Sequence, residues 1–438
     1  MDLVRGSAQT LVYRVSGTLL WMTASILVAR ALPVHDLGVY IATIVIAQAA
    51  GSIAASFASA TGYFVSRQGR PASELMVHGL LISVAAGLPM LFISIGAWAV
   101  DGRILVLLIG VSFLPIIARS SIGGIFIGTN RLALYNATVH GPAVAVVVLF
   151  IVWILLPADR TAEGAVGLWV LAQYLAFVAV LPWAAGGWNW LRTKGVDWSL
   201  VWGIMSFGSV VGLAGAVSYF NYRVDQVLVA GLDSASGAGI YSRAVSITEG
   251  LWLVSSSAAI ASYAAVGTVS RKEAARLTAR GVRQTLILVA GGAVVLALLA
   301  PFLLVLLFGQ KFEEAANALR VLCIGTVLFA PQALLSNYFT IQLGKPWIPL
   351  TIAASSVAVN VGLSLVLIPE FGYMGGAWAT TVSYTLAATG TTIIFLSLSG
   401  ARVSEMLRPR TDDILTYVRF VRRTVPERFM PRFLAGDR

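Results

Sequence analysis

Apolar runs long enough to cross a bilayer follow one another along nearly the whole chain, separated by short polar punctuation. About 20 apolar residues in a helix span the hydrocarbon core of a membrane. Twelve spans are expected, near 8–30, 37–65, 75–99, 104–127, 136–157, 165–187, 200–231, 239–267, 284–308, 316–343, 347–368 and 375–399. The connections carry turn chemistry, as in RALPVHD, RQGRPASE, GTNR and PEFGYMGG. The first apolar segment is of full length and leads straight into the second, so no cleavable signal is expected.

Composition agrees: 58% of the 438 residues are hydrophobic, 11% are charged and the mean hydropathy is +0.85. A soluble domain carries about 25% charged residues, so an integral membrane protein is expected. With the N-terminus inside, 22 of the 30 basic residues fall in cytoplasmic segments. Arg30, Arg103, Arg160 and Lys311 fall outside, and Arg119, Arg223, Arg243 and Arg320 fall within spans. That bias predicts cytoplasmic termini. The segment SRKEAARLTARGVR (270–283) reads as a basic connection between spans eight and nine. The tail from about 400, with nine arginines among apolar residues, reads either as a helix on an anionic leaflet or as a solvated basic tail. The net charge of +11 is thus explained without nucleic acid. A single cysteine, Cys323, excludes an intramolecular disulfide. His35, His78 and His140 lie far apart, and no nucleotide-binding glycine loop is present, so neither a metal nor a cofactor is called for. Outward loops of three to nine residues leave little room for a catalytic domain.

The chain also repeats. ILVARALPVHDLGVY (26–40) aligns without gaps on VLVAGLDSASGAGIY (227–241), an offset of 201 that also sets Gln48 opposite Glu249. Two parallel six-span lobes are expected, 1–190 and 200–399, followed by the basic tail 400–438.

Four arginines inside spans would cost roughly 2.5–3.5 kcal/mol each in lipid, so they must face a hydrated interior or partners. Only two buried acids, Asp225 and Glu249, stand against them, which points to an anionic ligand. Asn221 and Asp225 share a face of span seven, and Ser242, Ser246 and Glu249 a face of span eight. Arg223 with Asp225 and Arg243 with Glu249 suit either an internal ion-pair network or an anion site with titratable acids beside it. Arg14 either snorkels to the inner interface or binds ligand, and Arg320 either snorkels, pairs with Glu313 or Glu314, or binds ligand. Arg119 has no acid near it in sequence and reads as facing a cavity. Gly124-x-x-x-Gly128 and Gly208-x-x-x-Gly212 allow close helix contacts. Pro115, Pro142, Pro301 and Pro331 kink spans and free backbone groups that need partners.

The second half resembles the Wzx-type polysaccharide flippases, within the superfamily of multidrug, oligosaccharidyl-lipid and polysaccharide exporters. The resemblance rests on YRVDQVLVAGLDSASGAGIYSRAVSITEGLW (222–252), LFGQKFEEAANALRVL (307–322) and LGKPWIPLTIAASSVAVNVGLSLVLIPEFGYMGGAWATTVSY (343–384). It implies an all-α polytopic protein of about twelve transmembrane helices, with two six-helix lobes around a central cavity. It implies a non-enzyme of the bacterial cytoplasmic membrane that flips an undecaprenyl-pyrophosphate-linked oligosaccharide by alternating access. Under it, Arg119, Arg223, Arg243 and Arg14 would bind pyrophosphate, where a planar guanidinium holds phosphate oxygens bidentately. Trp21, Tyr222 and Tyr241 would face sugars, and Asp225, Glu249 and Gln48 would serve ion coupling. The expected partners are the lipid-linked oligosaccharide, membrane lipids at the basic tail, and a polysaccharide polymerase with glycosyltransferases, the transporter itself being a monomer. The competing readings are an ion-coupled multidrug extruder and a membrane glycosyltransferase or polymerase component.

Overall fold

The computed structural model describes residues 3–66, 68–129, 131–157, 159–184, 195–345 and 347–408. The part of the basic tail beyond 408 and the side chain of Arg14 lie outside the described residues. The described chain is a succession of long helices: α1 (Leu3–Ala31), α2 (Val34–Ser66), α3 (Ala72–Asp101), α4 (Ile104–Gly128), α5 (Leu132–Leu155) and α6 (Ala162–Val180). They are followed by α7 (Trp198–Leu232), α8 (Ala235–Thr248), α9 (Trp252–Thr268), α10 (Arg271–Phe308), α11 (Ala315–Phe329) and α12 (Gln332–Asn337). The last are α13 (Trp347–Phe371), α14 (Tyr373–Ser399) and the short α15 (Val403–Leu407). Each of the twelve expected spans falls on one helical passage, with α8 and α9 forming one and α11 and α12 another. Eight passages among the described residues are long and apolar enough to cross a bilayer. This is a polytopic, all-α membrane protein.

Two passages depart from regular helix. Glu249–Leu251 forms a 3₁₀ turn between α8 and α9, and Tyr338–Gln342 forms a π-helical turn after α12. The basic segment 270–283 is a departure of another kind, because it is not a loop: α10 begins at Arg271 and runs 38 residues. At ~1.5 Å per residue such a helix reaches about 57 Å, well beyond a ~30 Å hydrocarbon core. Its composition explains this. Alanine, leucine and arginine are strong helix formers, and Ala274, Ala275, Ala279 and Val282 recur on one buried face.

The helices gather into two compact units. The larger comprises Met1–Ile247, Leu299–Leu322 and Ala353–Ser383. One close seam joins α2 to α4, where a Cβ on Gly124 would lie 2.1 Å from the Ala58 carbonyl oxygen and 2.0 Å from Thr61 Oγ1. Only glycine permits that approach, and Thr61 Oγ1 then donates across the seam to the Ser121 carbonyl at 2.9 Å. The smaller unit comprises Thr248–Leu298, Cys323–Ile352 and Tyr384–Arg438. Its core sets the buried face of α10 against Leu334, Leu335, Tyr338, Phe339 and Phe395. Met406 of α15 joins the same core, and Arg283 donates to the Glu405 carbonyl beside it.

Within the larger unit the two copies of the repeat meet at the end that carries the α1–α2 and α7–α8 turns. A Cβ on Gly38 would lie 1.5 Å from the Ala235 carbonyl oxygen, and one on Gly239 would lie 2.5 Å from that of Val34. Gly38 and Gly239 correspond at the offset of 201, as do Val34 and Ala235. The contact is therefore reciprocal, each glycine seated on the other copy's carbonyl, as around a two-fold axis. Two further carboxylates, which do not correspond at that offset, cap helices. Asp36 accepts from the first amide of α6, Ala162, at 3.4 Å, and Asp233 from the first amide of α14, Tyr373, at 3.0 Å. Both carboxylates thus meet the positive end of a helix. Cations close the same end: Arg30 Nε donates to the Leu307 carbonyl at 2.9 Å, and Lys311 donates to that of Leu32. A carbonyl in the last turn of α10 and the one just past the end of α1 gain donors in this way.

Candidate functional site

Arg119 sits on α4 and is the one charged residue of that helix. Its guanidinium is held on two sides: Nη1 donates to the Thr138 carbonyl of α5, and Nη2 donates to Gln173 Oε1 of α6 at 3.3 Å. Neither partner is charged, and among the described residues no carboxylate pairs with it. Arg119 Nε is buried without an acceptor.

The residue borders a cavity of about 270 Å³ whose walls include Trp21, Gln48, Trp169, Gln173 and Tyr219. Whole-ligand pockets run from roughly 300 to 1,000 Å³, so this one suits a head group rather than an entire lipid-linked glycan. Trp169 Nε1 is also buried without an acceptor. Arg119 and Trp169 both border the cavity, and each keeps one buried donor without an acceptor. Of the residues singled out in the sequence, the cavity brings together Arg119, Trp21 and Gln48. It adds Gln173, Trp169 and Tyr219, which sequence reasoning missed. A lone amide in the apolar run of α6 was the available signal for Gln173.

The other candidates lie elsewhere. Arg243 is buried to 2% exposure and fixes helices to one another. Its Nη1 donates to Ser25 Oγ at 2.7 Å and to the Ser25 carbonyl at 3.1 Å, its Nε to Ser242 Oγ at 3.2 Å, and its charge lies 5.2 Å from the Phe308 ring centroid. Tyr241 is fully buried and donates to Asp225 Oδ2 at 2.6 Å. In this structure Tyr241 turns to α7 and α14 through Asp225 and Thr380, on a face that a single helix's pattern leaves open. In this conformation Arg243 likewise presents its donors to protein rather than to a ligand. Arg320 is exposed and donates to Asn317 Oδ1 at 2.9 Å. Arg223 and Tyr222 are half-buried on α7 and are not walls of the cavity. Glu249 opens the 3₁₀ turn between α8 and α9, so it leaves the regular helical face shared by Ser242 and Ser246.

Asp225 anchors a second polar cluster. Its Oδ2 accepts from Tyr241 and, at 2.9 Å, from Thr380 Oγ1, while its Oδ1 accepts from the Gln226 amide at 2.8 Å. Asn360 Nδ2 donates to Thr380 Oγ1 at 3.1 Å and to Ser383 Oγ at 3.3 Å. What remains unpaired here is two amide oxygens, Asn221 Oδ1 and Asn360 Oδ1, against the single amide nitrogen of Gln226.

No protein-family model and no curated protein matches the sequence. Solved structures do match in fold. The lipid II flippase MurJ in an inward closed conformation aligns with a TM-score of 0.75 at 13% identity, over 95% of this chain and 93% of that one. A multidrug resistance MATE family transporter of the MOP superfamily, inward-facing, aligns with a TM-score of 0.73 at 16% identity, over 88% and 94%. A MOP superfamily transporter from Pyrococcus furiosus, described as having a binding pocket of reverse polarity, aligns with a TM-score of 0.59 at 17% identity, over 91% and 95%. The chain has the fold of the MOP superfamily transporters.

Proposed function

We propose that this protein is a flippase of the bacterial cytoplasmic membrane, with both termini in the cytoplasm, that moves an undecaprenyl-pyrophosphate-linked oligosaccharide outward by alternating access. The observation that carries the reading is Arg119, a membrane-embedded cation at a cavity with no carboxylate partner among the described residues. A pyrophosphate supplies the missing negative charge, and its oxygens suit the remaining guanidinium donors. Trp21 and Tyr219 offer ring faces to the sugar next to the pyrophosphate, and Gln48 and Gln173 offer amides. The MurJ likeness supports the same class of cargo, since that neighbour is a lipid II flippase. Extrusion of organic cations, the rival suggested by the multidrug neighbour, suits an uncompensated guanidinium poorly.

In this reading the reciprocal Gly38–Ala235 and Gly239–Val34 contacts form the outer closure, about which the two six-helix lobes part. Asp225, with the unpaired oxygens of Asn221 and Asn360, is the coupling-ion candidate, its oxygen-rich surroundings suiting a small hard cation. Gln48 belongs to the cargo cavity rather than to that cluster. The test is complementation of a host lacking its own oligosaccharide flippase: wild-type protein restores polysaccharide at the surface, and Arg119→Ala inserts but does not. Restoration by Arg119→Ala, or clear drug-cation efflux by the wild type, would remove the reading.

A further inference from the structure

Two of the prolines inside helices stand four residues after a carbonyl that another helix uses. A helical amide at position 142 would normally donate to the carbonyl of Thr138, but Pro142 has no amide hydrogen. That carbonyl is the acceptor for Arg119 Nη1. In α4, Pro115 stands four residues after Val111, whose carbonyl accepts the Tyr174 hydroxyl of α6 at 2.9 Å. The same arrangement thus occurs twice in the three helices around Arg119, joining α4 to α5 and α6 to α4. A backbone carbonyl suits this purpose. It holds a guanidinium in place without neutralising it, as a carboxylate would.

We infer that Pro142 is the positioning residue of the anion site: by withholding an amide, it leaves the Thr138 carbonyl to orient Arg119 toward the cavity. Gln173 holds the other Nη and completes the cradle. The inference rests on the proposed cargo reading only for what is bound, not for how the cation is held. With alanine at position 142 the amide returns, and the helical donor competes with Arg119 for the Thr138 carbonyl, weakening one of its two contacts. Such a variant repairs a helix, so it is expected to fold.

The test combines Pro142→Ala with replacement of Pro142 by lactic acid, alanine's α-hydroxy counterpart, which has alanine's side chain but no amide hydrogen. Full-length protein in proteoliposomes is treated with phenylglyoxal, and labelling of Arg119 is followed by mass spectrometry. Titration with undecaprenyl pyrophosphate is carried out in parallel. In Pro142→Ala, Arg119 labels roughly tenfold faster, as expected when a hydrogen bond to a charged group is lost. In the lactic acid variant it labels as in wild type, because the carbonyl stays free. Thr138→Ala, which keeps the backbone acceptor, also labels as in wild type. Unchanged labelling in Pro142→Ala, or equal labelling in the alanine and lactic acid variants, would overturn the inference. Binding decides the other question: a wild-type protein that ignores undecaprenyl pyrophosphate would defeat the cargo reading while the labelling result stood.

Discussion

Arg119 in the first half of the chain and Asp225 in the second are both charged residues on membrane helices, and their surroundings are opposite. Around Arg119 the unpaired groups are donors, its own Nε and Trp169 Nε1. Around Asp225 they are two amide oxygens, those of Asn221 and Asn360, beside one amide nitrogen of Gln226. Asp225 already accepts three hydrogen bonds, whereas Arg119 makes two of the five its guanidinium offers. One region is suited to receive an anion of some size and the other a small cation. In the proposed reading the two regions carry complementary chemistry, an anionic cargo at one and a coupling ion at the other.

The largest test of this contrast removes its cation. Arg119→Ala is expected to lower export by about 100-fold or more, the scale of losing one member of a buried charged contact, while Arg119→Lys retains part of it. Surface polysaccharide, measured at matched protein levels in the membrane, checks this. Asp225→Asn is expected to act differently, lowering transport about tenfold and abolishing its response to an ion gradient, on the scale of one hydrogen bond to a charged group. Cargo affinity at the Arg119 cavity should stay the same, and a matched loss of affinity would merge the two regions into one site. The reciprocal closure supplies a third test. Gly38→Leu and Gly239→Leu place side chains against opposing carbonyls, so both should impair transport, and to a similar degree. Unequal effects would argue against a shared axis. The last test leaves transport aside: Tyr241→Phe removes a hydrogen bond to the Asp225 carboxylate and should cost about 1.5–3 kcal/mol of stability, read by thermal unfolding in detergent with cargo affinity unchanged.

The helical passages were legible because hydropathy and turn residues report directly on membrane crossing. Residues 270–283 were misread because basic charge marks a cytoplasmic location but says nothing about whether the backbone stays helical; the alanines on its buried face carried that information. The 3₁₀ turn at Glu249 and the π turn at Tyr338 left no mark in the pattern, since both arise from packing rather than from local propensity. Within the site, Arg119 stood out through its lack of a nearby acid. Tyr241 and Arg243 share the same repeat-bearing segment, and their burial depends on helices distant in sequence that no single-helix pattern reveals. Pro142 was visible only as a kink. Counting back four residues to Thr138 would have named the acceptor that holds Arg119.

The most direct measurement is equilibrium binding of undecaprenyl pyrophosphate to the purified full-length protein, wild type against Arg119→Ala. The account predicts saturable binding by the wild type and affinity lower by about 100-fold in the variant, with the helical content of the two proteins equal. Equal affinity in the two proteins would contradict it.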